Sequence, residues 1–135
     1  MPSTVDVQYV AIPTDGGPYL AHFGRARSMA VFAIQDAQVI SREDRPNPDP
    51  DHLDPAHHRV MLDLVRGCQV VIAAHIGPPM VWSLIQRGVQ VLGSPTESVE
   101  RAIETYVHSL RGGPALEALT SIVADADQQH EHASR

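Results

Sequence analysis

Residues 69–74, QVVIAA, narrow most sharply what this chain can become. The run is too short for a buried helix and carries no apolar–polar alternation, so it reads as a strand buried within a sheet. Helical signals stand on both sides of it. Upstream, Asp54 can cap a helix whose first position suits Pro55; Val60, Met61, Leu64 and Val65 give its core stripe, and Gly67 ends it. Downstream, Gly77-Pro78-Pro79 opens a short helix over 79–87, closed by Gly88 and followed by a short strand at 89–92, VQVL. Ser94, Pro95 and Glu97 read as the capping-box start of a third helix. Val99, Ala102, Ile103, Tyr106, Val107 and Leu110 then repeat at helical spacing.

The first half of the chain reads differently. VQYVAI at 7–12 is a buried strand that runs into the turn-forming Thr14-Asp15-Gly16-Gly17. SMAVFAI at 28–34 and QVISRE at 38–43 predict a hairpin across Gln35-Asp36-Ala37, although Ala37 stands where a primed turn prefers glycine. Arg45 to Pro55, with prolines at 46, 48, 50 and 55, cannot be a helix or an inner strand. The order β-β-β-α-β-α-β-α therefore predicts a single α/β domain over 1–110. The hairpin contributes antiparallel pairing and the βαβ crossovers parallel pairing, giving a mixed five-stranded sheet flanked by helices. Residues 111–135 read as an appendage, with a weak amphipathic helix through Leu116, Leu119, Ile122 and Val123 and then a polar, disordered end.

Composition removes several functions. Sixteen acidic residues against ten basic ones leave a net charge of −6, a poor basis for holding a phosphate backbone, so nucleic acid is not an expected partner. All ten basic residues are arginine, which excludes lysine Schiff-base or P-loop chemistry. A single cysteine, Cys68, excludes an intramolecular disulfide and a cysteine-only metal site, and its place before a core strand makes it a small buried residue. MPSTVDVQYV has neither a basic start nor a long apolar stretch, so no signal peptide or membrane span is expected, and the expected location is the cytoplasm.

In sheets of this kind ligands collect beyond the carboxyl ends of adjacent parallel strands. If the first and fourth strands are neighbours, Thr14–Gly17 and His75–Pro79 meet there, and the second loop leads into a helix N-terminus that favours anions. The first loop continues into His22-Phe23-Gly24-Arg25. The expected site for an anionic metal species or an oxyanion therefore comprises His22, Arg25 and His75 with the backbone of Gly16, Gly17, Gly24 and Gly77. The alternative is that the glycines only serve turns and His22 is a loop histidine.

The run VAIPTDGG at 10–17 followed by HFGRA at 22–26 resembles the dinitrogenase iron–molybdenum cofactor biosynthesis family, the NifX-like domain also found at the C-terminus of some NifB proteins. The likeness continues through GCQVVIA at 67–73, IGPPM at 76–80 and RGVQVL at 87–92, covering about residues 7–110. The resemblance implies a ribonuclease H-like fold. It also implies binding, carriage or storage of iron–molybdenum cofactor, its precursor or a related metal–sulfur cluster, without catalysis. Implied partners are cofactor-biosynthesis proteins or an apo-target enzyme, with room for a homodimer. His22, the histidine of the HFG motif, is the cluster ligand or contact that the family points to, and His75 is this sequence's own addition.

His52, His57 and His58 form a further histidine group. Neighbours on a helix are splayed by about 100°, so His57 and His58 cannot easily share one ion, and a solvated helix start is the favoured reading, with His52 plus one of them the weaker metal alternative. His130-Glu131-His132 offers only adventitious metal binding. Among enzymes, a two-metal nuclease fails because the inner strands VQYVAI, QVVIAA and VQVL carry no acid, and no G-x-S-x-G elbow supports a serine hydrolase. A mononuclear metal hydrolase built on His22, His75 and Asp15 stays open, as does an interaction module using an exposed patch at Met80 and Trp82, two residues that core packing of their short helix explains as well.

Overall fold

A computed structural model describes residues 6–48, 50, 56–112, 120 and 121. Its elements run β1 (Gln8–Thr14), a single 3₁₀ turn (Phe23–Arg25), β2 (Ser28–Gln35), β3 (Gln38–Pro46), α1 (His57–Leu64), β4 (Val70–Ala73), α2 (Pro78–Gln86), β5 (Gln90–Gly93), α3 (Val99–Leu110) and β6 (Thr120–Ser121). The sheet order is β3-β2-β1-β4-β5-β6. β1 pairs antiparallel with β2 and parallel with β4, so the first and fourth strands are indeed neighbours. β4 and β5 are parallel over all four residues.

Side-chain alternation sorts two cores onto the two faces. Ala11, Val71, Ala73 and Val91 turn toward α1 and α2, where Met61, Leu64, Val81 and Leu84 pack on them. Val10, Ile12, Val70 and Ile72 turn the other way onto Val99, Ala102, Ile103 and Tyr106 of α3. A strand buried on both faces has no polar side to alternate, which is why residues 70–73 carry none. β3 is the opposite case: an edge strand exposed along its length, with Arg42–Asp44 and Arg45–Glu43 ion pairs that blunt the open edge. Arg45 also donates to the carbonyls of Leu64 and Arg66 at 3.0 and 2.9 Å, closing the C-terminal end of α1.

Several expectations need correction. The sheet has a sixth, two-residue strand, because Thr120–Ser121 pairs antiparallel with β5; these residues lie inside the stretch expected to be a weak helix. β3 continues past Glu43 to Pro46, which an edge strand tolerates because a proline there loses no ladder bond. α1 starts at His57 behind Ala56, which makes no side-chain cap, two residues after the expected Pro55; Asp54 and Pro55 lie outside the described residues. The cap of α3 is Ser98, whose side chain accepts from the Arg101 N–H. Ser94 instead closes a local turn with Thr96, donating to its carbonyl at 3.0 Å. The hairpin turn holds Asp36 and Ala37 at φ of 54° and 57°, a primed turn without its glycine.

Candidate functional site

β1 and β4 end side by side, and the chain after each must turn away from the sheet. After β1, Asp15 accepts the N–H of Gly17 at 2.8 Å and the chain returns to bridge Thr14 with Leu20. It then enters the 3₁₀ turn, where the Phe23 N–H donates to the His75 carbonyl at 2.9 Å. That bond joins the HFGR turn to the loop after β4. Asn47, buried at the exit of β3, fastens the other end of the turn by donating to the Ala26 carbonyl at 2.8 Å.

Between the HFGR turn and the N-terminal ends of α1 and α2 lies a cavity of about 290 Å³. Phe23, Met61, Ile76, Pro79 and Met80 give it an apolar, polarisable wall, and Gly24 and Gly77 add backbone. Among the described residues its side-chain nitrogens come from His22, His57 and His58, and no carboxylate lines it. His22 stands exposed at the rim with Nδ1 accepting the Gly24 N–H at 3.1 Å. A backbone N–H can only donate, so the neutral ring carries its proton on Nε2 and presents a donor. Partial burial first, then the nearby charges of His75 and Arg25, hold the His22 pKa below its ordinary value. Arg25 and His75 are exposed and stand outside the cavity wall.

The expected site is thus divided. His22, Gly24 and Gly77 come together, with Arg25 and His75 beside them. Gly16 and Gly17 do not: they line a separate hollow of about 410 Å³ with Thr14, Ser28, Arg42 and Asp44. Their N–H groups are already used, Gly16 by the Thr14 hydroxyl at 3.1 Å and Gly17 by the Asp15 carboxylate. The anion cradle expected from those glycines is therefore spent on an internal turn. Nor does α2 offer a full set of donors at its positive end. Pro78 and Pro79 have no N–H, while Met80 and Val81 both donate to the Gly77 carbonyl at 3.1 Å.

His57 and His58 splay as adjacent helix residues must, and each reaches a different wall. His57 Nε2 donates to the Gly24 carbonyl, and His58 Nε2 meets Ser83 Oγ of α2 at 2.9 Å. Both were favoured as a solvated helix start. The partners are 33 and 25 residues away, so no local pattern points to them. Met61 Sδ also has a neighbour, accepting from Asn47 at 3.5 Å. Among the described residues no three His, Cys, Asp or Glu side chains converge to hold a metal ion. The hydrolase trio gains no support, since the Asp15 carboxylate is bound to its own turn. His52 and His130-Glu131-His132 lie outside the described residues. Cys68 is buried, with its thiol pushed up by burial against the opposing pull of Arg45. The patch expected at Met80 and Trp82 is absent: Met80 is buried and Trp82 packs against the core. No helix among the described residues is long and apolar enough to cross a membrane.

Solved structures share this architecture. The apo form of the orange protein from Desulfovibrio gigas matches with a TM-score of 0.63 and 19% identity, over 78% of this chain and 92% of its own. A candidate dinitrogenase of Methanocaldococcus jannaschii gives a TM-score of 0.62 and 14% identity, over 87% and 96%. A candidate NifB protein from Thermotoga gives 0.60 and 21%, over 85% and 93%. At these identities the likeness carries the fold alone. No curated protein matches the sequence. Membership comes from the sequence itself: the HFG turn, the strand after Gly67 and the IGPPM corner all fall within residues 7–109, which match the family model described as dinitrogenase iron-molybdenum cofactor, and the chain belongs to that family.

Proposed function

We propose that the chain is a non-catalytic accessory protein that binds iron–molybdenum cofactor, its precursor or a related metal–sulfur cluster, and passes it to a biosynthetic partner or apo-enzyme in the cytoplasm. The observation that carries this reading is the character of the cavity beside His22: thioether, aromatic and imidazole lining, no carboxylate among the described residues, and Arg25 and His75 close outside. A metal–sulfur cluster is a large, weakly hydrated anion with a polarisable sulfide surface. Soft apolar walls cost it little desolvation, and the Arg25 guanidinium supplies attraction. His22 makes the direct contact through Nε2–H, Gly24 and Gly77 let the backbone approach, and Arg25 acts at longer range, with His75 beside it. The sheet order β3-β2-β1-β4-β5, with β2 alone running against the other four, fits the ribonuclease H-like description of the family.

The test is an anaerobic titration of untagged apo-protein with tetrathiomolybdate and, separately, molybdate, followed by visible absorption and equilibrium dialysis. Tetrathiomolybdate binds at least tenfold more tightly than molybdate. His22→Ala weakens it at least tenfold, a loss of about 1.4 kcal/mol or more, without unfolding the protein. Equal affinities for the two anions, or an unchanged affinity in His22→Ala, defeat the reading. Iron or molybdenum with acid-labile sulfide in anaerobically purified protein supports it independently, whereas one zinc per chain without sulfide argues for a mononuclear centre.

A further inference from the structure

His57 and His22 are bound to the two sides of one residue. The Gly24 carbonyl accepts from His57 Nε2, and the Gly24 N–H donates to His22 Nδ1. We propose that His57 is a positioning residue that acts through Gly24 to hold His22 with its proton on Nε2, so that His22 offers the ligand an N–H donor and not a lone pair. The role of this contact in ligand binding rests on the function proposed above, but the relay itself is a property of the protein alone.

The direction of the relay follows from what is anchored. His57 is the first residue of α1, a helix held to the core by Met61, Leu62 and Leu64 and to α2 by the His58–Ser83 contact. The 3₁₀ turn Phe23–Arg25 is only three residues long, and both its cap His22 and Arg25 are exposed, so it is the softer partner. A donor fixed on the helix therefore fixes the Gly24 carbonyl. With that peptide oriented, the N–H on the other side of the Gly24 Cα is aimed at the His22 ring. Glycine is not needed here for its conformation: a Cβ at Gly24 would sit 3.6 Å from His22 Nδ1 in ordinary contact, and φ is not positive.

The consequence is chemical. For His22 to bind a metal through Nε2, its proton would have to move to Nδ1, where it would face the Gly24 N–H, two donors opposed. Met61 Sδ, the thioether beside it in the wall, is already engaged by the Asn47 amide. The contact therefore falls on the anionic outer surface of the ligand.

The experiment uses apo-protein labelled with ¹⁵N-histidine at about pH 8, above the ordinary histidine range. Long-range ¹H–¹⁵N spectra of the wild type show His22 only as the Nε2–H tautomer, with the Gly24 amide protected from exchange. In His57→Ala the Nδ1–H form of His22 appears and Gly24 exchange accelerates at least tenfold; His57→Gln, which keeps a donor, restores both. A mixed tautomer in the wild type, or no response to His57→Ala, overturns the proposal. Should His57→Ala not fold, the wild-type tautomer and the His57→Gln spectra still decide it. With tetrathiomolybdate as probe, His57→Ala binds three- to tenfold more weakly. If the probe ignores the wild type while the spectra behave as stated, the proposed function fails and the relay stands.

Discussion

Asn47→Ala tests whether the site is held from behind. Asn47 is 7% exposed, and its amide donates to the Ala26 carbonyl at 2.8 Å and to Met61 Sδ at 3.5 Å. Its backbone N–H donates to the Arg27 carbonyl at 2.9 Å, so the main chain stays tied when the side chain is removed. Ala26 is fully buried, and water cannot replace the lost donor without opening the turn. An acceptor stranded in this way costs about 1–3 kcal/mol, and the vacated space adds about 1 kcal/mol. A total of about 2–4 kcal/mol lowers the melting temperature of a chain this size by about 6–16 °C. Urea unfolding followed by circular dichroism measures the loss, with an unchanged slope showing that the unfolded state is the same. Because Ala26 ends the HFGR turn and Met61 lines the cavity, ligand affinity also falls, although Asn47 is not in the cavity wall. A stability change under about 0.5 kcal/mol would mean that the Ala26 carbonyl is satisfied otherwise, and the reasoning fails.

Three other outcomes follow from single backbone or titration features. Ala37→Gly stabilises the protein by about 0.5–1 kcal/mol in the same unfolding assay, since Ala37 sits at φ 57° in a turn that glycine enters freely; a loss of stability would contradict the primed turn. Gly16→Ala costs about 1–2 kcal/mol from its φ of 92° alone, the nearest atom to the new Cβ being Arg27 Cβ at 3.8 Å. Gly24→Ala changes stability by less than about 0.5 kcal/mol, and a comparison of their melting curves separates the glycine that is required from the one that is not. The folded-state pKa of His22 lies below its unfolded value near 6.5, so between the two the unfolded chain binds more protons and stability rises with pH. The His22 contribution is thus present above about pH 6.5 and lost as pH falls through the folded pKa. Stability–pH curves of wild type and His22→Ala converge at low pH if this holds, and a parallel offset would exclude it.

How far the sequence could be read depended on the range of the interactions involved. Residues 70–73 announce a buried strand because burial on both faces removes every polar side chain, and that signal is local. The meeting of the HFGR turn with the loop at His75 was also within reach, since right-handed crossovers place β1 beside β4. The cap of α3 was not. Ser94 and Ser98 both precede the helical run, and the choice is made by the Tyr19–Ser98 bridge and by the Val99 N–H bond to the Pro18 carbonyl, contacts with a distant loop. His57 and His58 gain their roles from Gly24 and Ser83 in the same way. The fate of the glycine loop, by contrast, was written locally. Thr14 and Asp15 stand two residues before Gly16 and Gly17, the spacing at which such side chains take a backbone N–H, and Pro78-Pro79 can donate nothing.

The distribution of donors bears on how a cargo would be held. A helix start with four free N–H groups and a glycine cradle would grip a hard oxyanion, which needs many hydrogen bonds to replace its water. Here Thr14 and Asp15 have taken the cradle, and two prolines have removed donors at α2. What remains is one histidine N–H, soft walls and peripheral charge, a combination that, under the proposed function, would discriminate against molybdate and favour a thio-anion. It also omits the coordinate bonds that would make release slow. A micromolar dissociation constant corresponds to about 8.2 kcal/mol, which burial of a soft surface with one charge-assisted hydrogen bond can supply. Binding of that strength is compatible with handing a cluster on, whereas a site that ligated the metal would have to be dismantled at each transfer. Arg25→Gln tests the first case: binding by field and packing weakens and loses salt dependence in this variant, and an unchanged affinity with unchanged salt dependence refutes it.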